Sequence, residues 1–193
     1  MTEQDDAAQK QRMMRAFIIA VERYEVVTAT DFLARGIDIA EADAQMANGA
    51  SSLHGKGFTT LGWAAYSGYE RMAELLVGAG ADIDLQDKWG NTPLMWAVES
   101  FRPEMIRFLV SAGASFDKSN AGDKTVFDLA KGREIDPILR AAIAAHPYAV
   151  QERQAAKESA ERAVKTNAMH ATAVRKRKVL NARAPTVTIR PAS

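Results

Sequence analysis

Three sets of residues keep one step along this chain. Thr59, Thr92 and Thr125 lie 33 residues apart, as do Leu61, Leu94 and Phe127, and Ala64, Ala97 and Ala130. A chain that repeats itself at this interval builds one supersecondary unit several times over, and each unit buries its apolar face on its neighbours. The unit can be read residue by residue. Gly80 tolerates the left-handed backbone that ends a helix. Asp84 to Gly90 reads as a tight, polar, two-stranded excursion closed by a glycine turn. The Thr92 hydroxyl can cap the next helix, and Pro93 suits a first helical position, where no amide hydrogen is needed. Leu94, Ala97 and Val98 then open an apolar helical face. One helix stops, a finger projects, and another helix starts.

The phrase recurs closely. Gly57-Phe-Thr-Thr-Leu-Gly-Trp-Ala64 aligns with Gly90-Asn-Thr-Pro-Leu-Met-Trp-Ala97, and Gly80-Ala81 returns as Gly113-Ala114. On these residues the chain resembles the ankyrin repeat family, over 57–118 and, with fewer matching positions, over 123–145 and 12–39. The resemblance implies an all-α, ankyrin-like α-solenoid over 5–146: about four helix-turn-helix repeats with short β-hairpin fingers. It implies a non-enzymatic scaffold that binds a protein partner through its concave face. Ala20 to Gly36 spans the same 16 residues as Ala64 to Gly80 and Ala97 to Gly113, which makes the first segment a degenerate terminal repeat.

Three places depart from the pattern. Ala20 to Ala64 is 44 residues, 11 more than the repeat, and the excess predicts a long loop over 40–56 containing the turn signal Asn48-Gly49. Either a lengthened binding finger or a loop without a role accounts for it. Phe101 stands where the second repeat has Gly68, so a left-handed backbone there would strain an aromatic residue unless Pro103 re-sets the turn. In the last repeat Asp123 replaces the finger glycine and Val126 the proline.

Charge divides the chain in two. Residues 1–146 carry 15 basic and 21 acidic side chains, whereas 147–193 carry 10 basic and 3 acidic. Tyr148 to about Asn181 lacks glycine and proline and is rich in helix formers, which predicts a long C-terminal helix ending in an extended or disordered Pro185–Ser193. Its densest run, Arg175, Lys176, Arg177 and Lys178, suits a polyanion, whether nucleic acid or acidic membrane. A tail of this charge can also strap down on the acidic body. Cysteine is absent, the start is acidic rather than secretory in pattern, and no apolar stretch is long enough to span a bilayer. A cytoplasmic location follows as the expectation.

Chemistry has little to build on. His54, His146 and His170 have no partner at metal-ligand spacing, and no phosphate loop or nucleophile motif occurs, so no metal, cofactor or catalytic group is expected. Asp82, Asp84 and Asp87 fit turn structure better than a calcium loop. Trp63 and Trp96, 33 residues apart, are expected in the core between repeats. Trp89 sits at a fingertip and Phe58 on the neighbouring finger. In the family such positions, together with the exposed ends of the first helices, line the binding face. Partner contacts are therefore expected at Lys56, Phe58, Tyr66, Ser67, Lys88, Trp89, Asn91, Glu99 and Ser100. The competing reading of Trp89 is that it folds back onto its own finger or the long loop.

Overall fold

Threonine starts each of the matched units. Thr59 Oγ1 accepts a hydrogen bond from Gly62 N at 2.9 Å, and Thr92 Oγ1 accepts one from Met95 N at 3.3 Å. Thr125 goes further, exchanging bonds reciprocally with Asp128 in a capping box. A computed structural model describes residues 3–50 and 57–146, within the unit Met1–Val150. The basic tail, its expected long helix and Arg175–Lys178 lie outside the described residues, as does Lys56.

The helices fall into two rows. The first row is α1 (Glu3–Glu22), α4 (Thr60–Ser67), α6 (Pro93–Glu99) and α8 (Val126–Ala130). The second is α2 (Val26–Ala34), α5 (Glu70–Gly78), α7 (Pro103–Ser111) and α9 (Ile135–Ala145). Each helix touches its counterparts in the adjacent repeats of its own row, and each pair closes on itself. The repeating alanines explain the close approach: Ala20, Ala64, Ala97 and Ala130 are all fully buried or nearly so, among Phe17, Leu61, Leu76, Leu94, Leu109 and Leu139. Deleting a leucine here would cost about 2–5 kcal/mol.

First-row helices end in a repeated device. Glu25 N, Tyr69 N and Arg102 N donate to Ala20 O, Ala64 O and Ala97 O at 2.8–2.9 Å, and the residue before each donor is left-handed. Those residues are Tyr24 (φ 60°), Gly68 (φ 78°) and Phe101 (φ 55°). The aromatic at 101 therefore does carry the strained backbone, and Pro103 begins α7 without relieving it. Asp123 likewise takes the left-handed place of the finger glycine, at φ 54°. Cations from the next repeat reach the same helix ends. Arg102 Nε donates to Tyr66 O at 3.2 Å and Arg133 Nη2 to Glu99 O at 3.3 Å, where carbonyls and helix dipole both favour positive charge.

Two expectations are corrected. Among the described residues the fingers contain no strands, only turns and one isolated antiparallel bridge between Ser119 and Thr125. In the finger before α6 the reason is local: Asp87 Oδ1 accepts from both Trp89 N and Asn91 N at 2.9 Å, taking donors that an opposing strand would otherwise use. Nor is 40–56 a loop throughout. Ile39–Gln45 forms a helix, α3, and Met46–Ala50 continues it as a π-helical turn. Asp38 caps it by accepting from Ala40 N at 2.9 Å, and Ile39, Ala42, Asp43 and Met46 bury one face. Glu41 pairs with Lys10 at 2.7 Å, fastening α3 to α1.

Candidate functional site

The finger between the second and third repeats is held by one carboxylate. Besides the two backbone bonds at Oδ1, Asp87 Oδ2 accepts from the indole Nε1 of Trp96 at 2.7 Å. Asp87 is buried, and that burial raises its pKa above the ordinary carboxylate value, against the opposing pull of the Trp96 hydrogen bond. The fingertip is thus tied directly to the first-row helix behind it.

Adjacent fingers are stitched together as well. Gln86 Nε2 donates to Gly90 O at 2.6 Å and to Ser119 O at 2.9 Å, and Ala121 N donates to Trp89 O at 2.8 Å. Asn120 Nδ2 donates to Asn91 Oδ1 at 2.9 Å. Gly90 is required for this approach: its φ is 76°, and a Cβ there would come within 2.8 Å of Ala121 N. Asp82 and Asp84 serve the turns too, accepting from Asp84 N at 3.0 Å and from Ser115 N at 2.8 Å respectively. Among the described residues no group of three or more potential metal ligands assembles.

Against this frame lies a cluster of five rings. Phe58 is its centre, with ring centroids 4.7 Å from Trp96, 5.4 Å from Trp63, 5.4 Å from Tyr66 and 6.2 Å from Trp89. Phe58 is only 2% exposed, so it is a core residue beneath the face rather than a contact on it. Its position among rings from α4, α6 and the finger between them, where four other aromatics converge, accounts for the burial. Trp89 is 36% exposed and packs edge-on against both Phe58 and Trp96. Trp89 therefore leans on rings of two successive repeats and keeps about a third of its surface exposed. Lys88 Nζ sits 4.4 Å from its ring centroid. Trp96, expected in the core, is half-buried and joins the same patch.

The remaining expected contacts divide by what already holds them. Tyr66 is half-buried at the edge of the ring cluster, and Glu99 is exposed one repeat further on. Ser67 is half-buried, while the Ser100 hydroxyl donates to Trp96 O. Asn91 is engaged with Asn120, so its side chain joins fingers together. The sequence reading missed Asp43. On α3 it is 4% exposed, and its Oδ1 accepts from Thr60 N at 2.6 Å and from Thr60 Oγ1 at 2.7 Å. Burial raises its pKa, with the Thr60 hydrogen bonds opposing and the nearby Asp82 charge adding to the rise. The signal was present: Asp38 followed by Glu41 is a capping pattern, and Ile39, Ala42, Asp43 and Met46 fall at helical spacing.

Paired antiparallel helices in two stacked rows, with fingers pinned by hydrogen bonds, define a helical repeat solenoid. The family model for ankyrin repeats (3 copies) matches residues 17–120, and the chain belongs to the ankyrin repeat family. Members of this family are generally protein–protein interaction modules. No curated protein matches the chain. Among the described residues no helix is long and apolar enough to cross a membrane.

Proposed function

We propose that the chain is a non-enzymatic, cytoplasmic adaptor that binds a protein partner through the face formed by its fingers and first-row helices. The observation that carries this reading is Trp89: a tryptophan more than a third exposed, carrying a lysine, on a finger fixed by Asp87. Large aromatics on rigid supports make binding hot spots because they bury much area while losing little conformational freedom. Lys88, Trp89, Tyr66 and Glu99 are the principal contacts, with Ser67, Ser100 and the polar atoms of Asn91 at the margin; Lys56 is a further candidate. The test is capture of a partner by the full chain and by Trp89→Ala, with thermal melts of both. Loss of the partner with an unchanged melt supports the reading; equal capture rejects it.

The Arg175–Lys178 run supports a second reading, in which the tail associates with nucleic acid or acidic membrane. A steep loss of binding to DNA or anionic vesicles with added salt supports it. In a third, the tail straps the acidic body, and neutralising the run then raises partner affinity.

A further inference from the structure

The insertion in the first connector comes back to the fingertip of the second, and Gly57 is the meeting point. Gly57 is buried with φ 63°, and a Cβ there would lie 2.6 Å from Lys88 Cδ and 2.9 Å from both Lys88 Cε and Ala47 O. The lysine stem and the π-helical turn therefore close on the same point of backbone, with no room for a side chain between them. At the end of that stem, Lys88 Nζ sits 4.4 Å from the Trp89 ring centroid. The residue after Gly57 is Phe58, the centre of the ring cluster, 6.2 Å from Trp89. The insertion is itself fastened on two sides. Asp43 accepts from Thr60 N and Thr60 Oγ1 at the start of α4, and Glu41 pairs with Lys10 on α1. Ile39, Ala42 and Met46 are buried along its inner face. It ends in the π-helical turn Met46–Ala50, a rare element found mostly at functional positions.

We propose that α3 and its π-helical turn are a brace for the fingertip: Ala47 closes on Gly57, Gly57 fixes the course of the Lys88 stem, and the Lys88 ammonium is thereby held over the ring of Trp89. Ala47, Gly57 and Lys88 are positioning residues, and the insertion is neither a contact finger nor an idle loop. The physical gain is preorganisation. A lysine stem loses rotamer freedom when a partner orders it, and one already packed against backbone loses less. The same packing keeps the charged head outward, since the methylenes are covered while the ammonium stays near solvent. A fixed route from α1 and α4 through α3 then reaches Trp89 by Lys88, and by Phe58 beneath it. The consequence for binding rests on the protein-partner reading above, whereas the positional claim concerns the free chain alone.

The test is carbon–proton NMR of the full isotope-labelled chain, reading the δ and ε methylene shifts of Lys88. Protons held over an indole face are displaced upfield, and a lysine released from the brace loses that displacement. The parent should show it at both methylenes, and Gly57→Ala should abolish most of it. Asp38→Ala removes the exposed cap of α3 and leaves Gly57, Lys88 and Trp89 in place, and it should reduce the displacement in part. Asp128→Ala breaks the capping box of α8 instead, and it should leave the Lys88 signals where they are. Should Gly57→Ala fail to fold, Asp38→Ala decides alone. A parent without the upfield displacement, Lys88 signals that ignore Asp38→Ala, or signals that move equally with Asp128→Ala overturn the proposal. Shifts that move as expected support the brace even where every variant captures a partner equally, in which case the partner reading alone fails.

Discussion

The connector between the first and second repeats and the one between the second and third occupy the same topological position, yet they solve it differently. The later connector is a short finger whose organising carboxylate, Asp87, reaches its partners within nine residues, ending at Trp96. The earlier connector is eleven residues longer and folds its excess into α3, whose Asp43 reaches Thr60 across 17 residues. In both, a buried aspartate fastens the connector to the following first-row helix. In both, burial raises the pKa of that aspartate. The lesson is that the insertion keeps the anchoring chemistry and changes only the element that delivers it.

That comparison can be broken at several points. The largest effect is expected from Asp43→Ala. It strands the Thr60 amide and hydroxyl in a buried site, at about 3 kcal/mol of stability, which urea unfolding would measure. Asp87→Ala should cost less, about 1–2 kcal/mol, because the donors it releases are nearer solvent, and fluorescence should report a loosened Trp96. Gly90→Ala should cost about 1–2 kcal/mol through its left-handed backbone and the collision with Ala121 N. This variant would separate finger-to-finger stitching from the carboxylate anchors.

A pH series sharpens the pair further. Because the folded pKa of Asp43 lies above its unfolded value, its contribution to stability is fully present below the ordinary carboxylate range and is lost as pH rises through the raised value. The urea midpoint of the parent relative to Asp43→Asn should therefore fall as pH rises from about 4 toward 7. Asp87 against Asp87→Asn should show the same sign with smaller amplitude. Asp128, whose pKa is lowered by its Thr125 hydrogen bonds, has the opposite sign: its contribution is present above the ordinary carboxylate pKa and lost on acidification.

Much of this was legible in the sequence because the physics was local. Thr59, Thr92 and Thr125 act within three residues of themselves, and the glycine stops at 80 and 113 need only the backbone they end. The left-handed Phe101 could be read from Gly68 by register alone. What escaped was decided by tertiary contact. Phe58 and Trp89 both look like fingertip aromatics, but only the fold shows four rings converging on Phe58 while Trp89 stays about a third exposed. The finger over Asp84 to Gly90 reads as strands until the Asp87 carboxylate is seen taking the amides of Trp89 and Asn91. The small, polar composition of 40–50 pointed to a loop, although Asp38 and the spacing of Ile39, Ala42, Asp43 and Met46 carried the helix. Burial of an aspartate is easily passed over in a sequence, because its partner, Thr60, is distant in the chain.

The central claim is that Trp89 contacts a partner and is not needed for the fold. The most direct measurement is the affinity of Trp89→Ala for the captured partner, taken beside its thermal melt. The account predicts a loss of more than about fivefold, or roughly 1 kcal/mol, with a melting temperature within a degree or two of the parent. Unchanged affinity, or a domain that melts early when Trp89 is removed, would contradict it.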